Sequence, residues 1–383
     1  MKKALITGCA IGMLAWGCSP KKHKAEQALQ EQEGKLTMLV GTYTSGESKG
    51  IYSYRFDEEN GTATFLSEAE VENPSYLAVA PDGNTVYAVS ELNDERAAVC
   101  AFAFEKEKGS FRPLNVQPTQ GEDPCYIITN GKYAVTANYS GGSISVFPIA
   151  PDGSLLPAAE VLKLEGSGAD PERQRKPHLH CVQFSPDGRL LFANDLGTDK
   201  IYKYEVDKNA DANNGKPFLK EGTPAAFRVA AGSGPRHLTF APGGEYAYLI
   251  NELSGMVTVF GCRDGNLTEL QSIAADTVGA RGSADIHISP DGRFLYASNR
   301  LKADGMAIFR INPEDGRLTK AGYRLTGIHP RNFAITPNGK FVLVACRDSR
   351  AIQVYERDEE SGLLTNTNKD IPVDRPVCIK FVP

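Results

Sequence analysis

The sequence contains no CxxC pair, no Cys/His spacing suited to zinc, no Gly-x-Ser-x-Gly elbow and no phosphate-binding P-loop. Structural zinc, the nucleophile-elbow hydrolases and the P-loop nucleotide enzymes are thereby set aside, and with no ligand triad apparent, no metal or other cofactor is expected. Lysine and arginine number 42 against 47 acidic residues, a formal net charge of −5, so there is no general basic field to hold nucleic acid. Long runs of helical apolar periodicity are missing as well. What remains is glycine (37), proline (23) and aromatic residues spread along the chain, a composition of many short strands joined by turns.

Residues 176 to 204, KPHLHCVQFSPDGRLLFANDLGTDKIYKY, are the template for most of the chain. The stretch predicts three strands, over Cys181–Phe184, Leu190–Asn194 and Ile201–Tyr204. Between the first two stands Pro186-Asp187-Gly188, where Pro presets φ and Gly accepts a positive one. The same punctuation recurs at Pro81-Asp82-Gly83, Asn130-Gly131, Pro242-Gly243-Gly244, Pro290-Asp291-Gly292 and Pro337-Asn338-Gly339. Successive turn glycines (83, 131, 188, 244, 292, 339) lie 48, 57, 56, 48 and 47 residues apart. A period of roughly 40 to 50 residues with several strands per unit predicts a β-propeller. Six turns give six blades. A seventh is assembled from the two ends: Arg375–Pro383 matches the inner-strand pattern of Asn73–Pro81, and the missing outer strands are supplied by Met38–Tyr43 and Gly50–Phe56. The expected fold is all-β, a seven-bladed propeller over residues 36–383 whose ring is closed by pairing N-terminal and C-terminal strands in one blade.

Before that domain, Met1-Lys2-Lys3 and the apolar Ala4–Trp16 form a basic start and a core too short to span a bilayer, the pattern of a secretory leader. Leu14-Ala15-Trp16-Gly17-Cys18-Ser19 resembles a bacterial lipoprotein signal, with cleavage and lipid attachment at Cys18, although Trp16 stands where a small residue is usual. Residues 1–18 are therefore expected to be removed or lipidated, residues 19–35 to serve as a polar tether, and the protein to be exported to the periplasm or cell surface, held to the membrane through a lipid anchor alone. The six later cysteines, Cys100, Cys125, Cys181, Cys262, Cys346 and Cys378, each lie in or beside an apolar strand and are expected to be buried free thiols.

Aligning the blades shows which side chains gather in space. Where the inner strand begins, one column reads Ser75, Cys125, His180, Arg236, Ala284, Arg331 and Val377; the next reads Tyr76, Tyr126, Cys181, His237, Asp285, Asn332 and Cys378. The second strand runs antiparallel to the first, so its far end returns to the same mouth. That end carries Glu91, Tyr139, Asp195, Asn251-Glu252, Asn299-Arg300 and Arg347. Two columns thus bring arginines, carboxylates and histidines to one opening, and guanidinium forks suit carboxylate or phosphate. Propellers also use polar networks at this level to tie blades together, but four arginines at a narrow mouth call for an anion or paired carboxylates. His178, two residues ahead of His180, falls in the entering loop. His287 breaks column parity and is expected to be a hydrogen-bonded core histidine, while His329 is left open between structural and functional roles. Gly166–Lys176 is a polar insertion placed to lip the mouth. Asp207–Gly215 mimics half a calcium loop but lacks the Gly and the bidentate Glu, and so is expected to be a solvated turn.

Three segments, residues 177–204, GPRHLTFAPGG (234–244) and residues 329–362, resemble the seven-bladed propeller lactonases, a family that includes the propeller-type 6-phosphogluconolactonases and related carboxymuconate-lactonising enzymes. The resemblance extends over residues 37 to 383. It implies a lactone hydrolase whose catalytic set in the channel mouth is His180, Arg236, Glu252 and Arg300, each already present in the columns. Arg331, His237, Arg347 and Glu91 would then bind substrate, a small lactone or anionic sugar. The arginines would bind the anionic group or oxyanion and either Glu252 or His180 would act on water as general base. Two other functions share the site: a non-catalytic exported propeller that captures an anionic saccharide or a protein partner, and cyclisation of a carboxylated muconate. The leader argues against a substrate made in the cytosol, as phosphogluconolactone is.

Overall fold

Each Pro-Asp-Gly stretch closes a tight turn between two antiparallel strands. In the template blade Gly188 N donates to Ser185 O at 2.8 Å with Gly188 at φ +67°, while Asp187 Oδ1 accepts from Arg189 N at 3.0 Å. These strands belong to a computed structural model that describes residues 34–211 and 215–383. The expected leader with Cys18, and the tether up to residue 33, lie outside the described residues. Residues 36–383 form one compact unit, and its first strand starts at Lys35, one residue inside the expected tether.

Seven antiparallel sheets make up that unit, six of four strands and one of five. Their innermost strands are Leu77–Val79, Pro124–Thr129, Leu179–Phe184, Pro235–Phe240, Ser283–Ile288, Pro330–Ile335 and Pro376–Phe381. Numbered by these strands, blades 1 to 7 contact one another in sequence, and the strand of blade 7 touches those of blades 6 and 1. Blade 7 is composite: Pro376–Phe381 pairs with Lys35–Thr42, followed outward by Gly50–Asp57 and Thr62–Glu70. The chain ends are thus clasped in one sheet, as the sequence predicts.

Blades are sealed by apolar faces and by a repeated polar clasp. Tyr87, Tyr248 and Tyr296, at one position of the second strand, donate to the carbonyls of Gly153, Gly316 and Gly362 in the following blade, at 2.9, 2.9 and 2.7 Å. Gly362 must be glycine on two counts, a φ of +74° and the Phe294 ring lying where a Cβ would stand. The six later cysteines are free; five are buried and Cys262 is half-buried.

One irregularity positions the site. In five blades the pairing of inner and second strands skips a single residue: Cys125, His180, Arg236, Arg331 and Val377. Each is the extra residue of a β-bulge, which re-aims a side chain. These are members of the first polar column, so the bulge, repeated round the ring, turns that column and the next toward the channel.

Candidate active site

Glu252 is the hub. It follows strand Tyr246–Asn251, and its amide donates to Gly234 O at 2.8 Å. Arg236 Nε donates to Glu252 Oε2 at 2.9 Å, Arg300 Nη2 lies 3.2 Å from the same oxygen, and Arg173 Nη2 donates to Oε1 at 2.9 Å. His180 Nε2 stands 3.8 Å from Oε2. Arg236 is 1% exposed, and its Nη1 donates to Ala284 O and faces His237 Nε2 at 3.3 Å. Arg300 is tied back by Gly282 O, 2.8 Å from its Nε.

Local sequence explains how these groups are held. Asn194, fully buried, donates to Arg236 O at 3.1 Å. Arg173 comes from the insertion, which is itself pinned: Gln174 Nε2 donates to Leu196 O and Asp199 Oδ1, at 2.8 and 2.7 Å, while Asp170 Oδ1 accepts from Arg173 N at 2.9 Å. Arg173 Nη2 also donates to Tyr139 OH at 3.1 Å, and Tyr139 is stacked on His178 with ring centroids 4.5 Å apart. His178 therefore supports a wall of the site from its loop.

A cavity of about 310 Å³ opens in front of this group, lined by Tyr43, Glu91, Asp123, Cys125, Tyr139, Ser140, Arg173, His180, Glu252, Arg300 and Arg331. Its other side belongs to blades 1, 6 and 7. Tyr43 OH reaches both oxygens of Glu91, at 3.1 and 3.0 Å, and Arg331 Nη2 is 4.0 Å from Glu91 Oε1, with its guanidinium 5.4 Å from the Tyr43 ring centre. The second column forms a floor. Tyr76 and Tyr126 are stacked at 4.0 Å, and buried Asp285 accepts from His237 Nδ1 at 2.7 Å, His287 Nε2 at 3.0 Å and the Phe333 amide at 3.2 Å.

The electrostatics separate the two sides. Burial alone would raise the Glu252 carboxyl, but Arg300, Arg236 and Arg173 outweigh it and hold the group at about 2. Glu91 moves the other way: burial raises it above its ordinary value, and Arg331 with the Ser75 and Tyr43 hydroxyls offsets only part. Burial, reinforced by Arg236, His237 and Arg331, pushes His180 well below the usual histidine range, so its ring is neutral at pH 7. Arg300 is lowered to about 9, by burial first and then by Arg236 and Arg331, despite Glu252. Three guanidiniums (Arg173, Arg300, Arg331) and three carboxylates (Glu91, Asp123, Glu252) line the cavity, and a fourth guanidinium, buried Arg236, pairs with Glu252 from behind, so the excess positive charge that would suit an anionic or oxyanionic guest comes from the second layer.

Of the residues singled out from sequence, His180, Glu252, Arg300, Arg331 and Glu91 line the cavity, and Arg236 stands directly behind Glu252. Two lie elsewhere. His237 sits in the floor, its ring held by Asp285. Arg347 is drawn to the rim, where Nε donates to Asp348 Oδ1 at 2.7 Å, and it shares a separate surface depression with Arg350 and Arg375; its immediate neighbour in sequence offers a closer carboxylate than the cavity does. His287 has the expected hydrogen bond but remains one-third exposed. His329 is buried 3.4 Å from Arg300 Nη1. Sequence reasoning missed Arg173 and Tyr43. The insertion was legible as a lip, but no periodicity marked which of its side chains turns inward. Tyr43 directly follows the second strand of the composite blade, the same position that yields Glu91 in blade 1, and extending the column to that blade would have found it.

A family model described as a seven-bladed β-propeller lactonase matches residues 37–381. A protein named 6-phosphogluconolactonase from Formosa agariphila is 38% identical over 346 residues, 88% of this chain and 97% of its own length. Another of that name from Bacillus subtilis is 35% identical over 361 residues, 91% and 99% of the two chains. Among solved structures, a Bacteroides fragilis protein superposes with TM-score 0.91 at 62% identity, covering 92% of this chain and 99% of its own. The periplasmic gluconolactonase of Pseudomonas aeruginosa gives 0.85 at 36% identity, covering 91% and 99%.

Proposed function

The chain belongs to the seven-bladed β-propeller lactonases and is a lactone hydrolase of the 6-phosphogluconolactonase type, and from that premise we propose that it opens a sugar-acid lactone in the cavity built around Glu252, His180, Arg236, Arg300 and Arg331. The observation that carries the proposal is the convergence of four guanidiniums on one small site, three of them lining the cavity and Arg236 backing Glu252. Opening a lactone requires a water to attack the carbonyl carbon, an oxyanion to be held, and the ring oxygen to leave with a proton. Arg300 and Arg331 face the cavity and supply fixed donors for the oxyanion, worth most where water is largely excluded. Arg236 and Arg173 keep Glu252 ionised and in place. Glu252 has both oxygens occupied and titrates at about 2, so it acts as the counter-ion that orders the arginines and is a poor proton acceptor at neutral pH. Neutral His180 offers its Nε2 to orient water or a substrate hydroxyl. A substrate found outside the cytosol suits the leader expected at residues 1–18, and a periplasmic relative is named a gluconolactonase.

The test is hydrolysis of gluconolactone and of its 6-phosphate, followed by acid release against spontaneous opening. The purified protein should accelerate at least one, and Arg300→Ala should lose roughly a hundredfold in kcat, the scale of one oxyanion donor. Binding of these sugar acids with no acceleration of any lactone would replace the proposal by the non-catalytic saccharide-binding one.

A further inference from the structure

Glu252 cannot easily be the group that moves the proton, because each of its oxygens already accepts from a guanidinium. A base must have a free lone pair aimed at the water. The second glutamate of the same cavity has one. Glu91 follows strand Thr85–Ser90, its amide donating to Asn73 O at 3.1 Å and its carbonyl accepting from Asn73 Nδ2 at 3.4 Å, so the backbone is clamped from both sides. Among the described residues its carboxylate is met by hydroxyls and not by a paired guanidinium: Tyr43 OH is shared between both oxygens at 3.1 and 3.0 Å, the Ser75 hydroxyl stands beside them, and Arg331 stops at 4.0 Å. Tyr43 is in turn fixed by its own amide, which donates to Arg375 O at 3.1 Å.

We propose that Glu91 is the carboxylate that takes the proton from the attacking water and returns it to the departing ring oxygen, with Tyr43 as its positioning residue. This rests on the lactonase reading above. In the step, a water O–H bond breaks toward Glu91 while the water oxygen bonds to the carbonyl carbon, and the carbonyl electrons move to an oxyanion held by Arg300 and Arg331. Collapse of the oxyanion breaks the bond between that carbon and the ring oxygen. The ring oxygen takes the proton from Glu91, so lactone plus water gives the hydroxy acid and the carboxylate is restored. The charged and titratable groups facing Glu91 come from three other elements: Arg331 from blade 6, Tyr43 from blade 7, and Asp123 with Cys125 from the start of blade 2. Their balance, with burial, leaves Glu91 above the ordinary carboxylate value, nearer the range a base needs at neutral pH. Two carboxylates of one cavity are thereby pushed apart into two roles.

Full pH profiles of kcat and kcat/KM for the wild type, Glu91→Gln and Tyr43→Phe decide it, with thermal unfolding recorded on each. Glu91→Gln is expected to lower kcat by a hundredfold or more, to leave KM within about threefold, and to abolish the acidic limb of the profile. Tyr43→Phe removes a hydrogen bond that favours the ionised form of Glu91 and should move that limb to higher pH, a change that a purely structural tyrosine would not produce. Activity of Glu91→Gln within threefold of the wild type with the acidic limb intact overturns the assignment while leaving the lactonase reading standing. A wild type no faster than spontaneous hydrolysis on every sugar lactone overturns both. Should Glu91→Gln fail to fold, an unmoved limb in Tyr43→Phe overturns the assignment by itself.

Discussion

Glu91 and Glu252 occupy the same position of the repeat, one residue past the second strand, in blades 1 and 4. The fold treats them alike and delivers both to one cavity. Their chemistry differs because their neighbours do. Around Glu252 the bulge residues are Arg236 and His180, and two further arginines arrive from Arg300 and the insertion. Around Glu91 stand a tyrosine, a serine and one more distant arginine. In these two blades the repeat position brings a carboxylate to the cavity, and the neighbouring blades decide whether its carboxyl is held low by guanidiniums or raised by burial.

The comparison breaks most visibly at Glu252. Because Glu252 is buried, Glu252→Ala would leave Arg236 and Arg300 uncompensated in the interior, at a cost of about 3–5 kcal/mol together with loss of lactone opening. Denaturant unfolding of this variant measures the first, and the assay above the second. The folded pKa of Glu252 lies below its unfolded value, from 4.5 to about 2. Its contribution is therefore fully present above about pH 4.5 and is lost as pH falls toward 2. Unfolding curves of the wild type should steepen their decline across that window, and those of Glu252→Gln should be flatter there.

A smaller effect tests the insertion. The Arg173 side chain is 40% exposed, so solvent screens its pair and Arg173→Ala should change stability by less than about 1 kcal/mol. The kcat/KM for the lactone should nevertheless fall about tenfold, the scale of one charged hydrogen bond. If activity were unaffected, Arg236 and Arg300 alone would suffice to hold Glu252, and the contrast between the two carboxylates would rest on the propeller core without the lip. The smallest effect belongs to the rim. Arg347→Ala removes a side chain already paired with Asp348 outside the cavity; steady-state rates within about twofold of the wild type and a stability change within about 0.5 kcal/mol are expected.

The blade count, the composite seventh blade and the polar columns were legible because turn chemistry and strand alternation are local and repeat: each Pro-Asp-Gly fixes a register, and each register fixes a column. Through the columns, His180, Arg236, Glu252, Arg300, Arg331 and Glu91 could be assigned to one mouth before any contact was known. Arg347 met the same positional rule and still lies elsewhere, since the three residues Arg347–Ser349 form a 3-10 turn that follows its strand directly and pairs it with Asp348. Arg173 obeyed no rule, because an insertion has no counterpart in the other blades.

By itself, then, the sequence determined a ring of seven blades and the residues at its mouth, since these follow from backbone propensities repeated at a fixed period. Only the tertiary structure decided which residues meet and in what protonation state. Hydrogen-bond partners, burial and the distance to the next guanidinium are properties of side chains that lie far apart along the chain: Arg173 and Glu252 are 79 residues apart, and Tyr43 and Glu91 are 48. Column arithmetic on a repeat carries no information about distances of that kind.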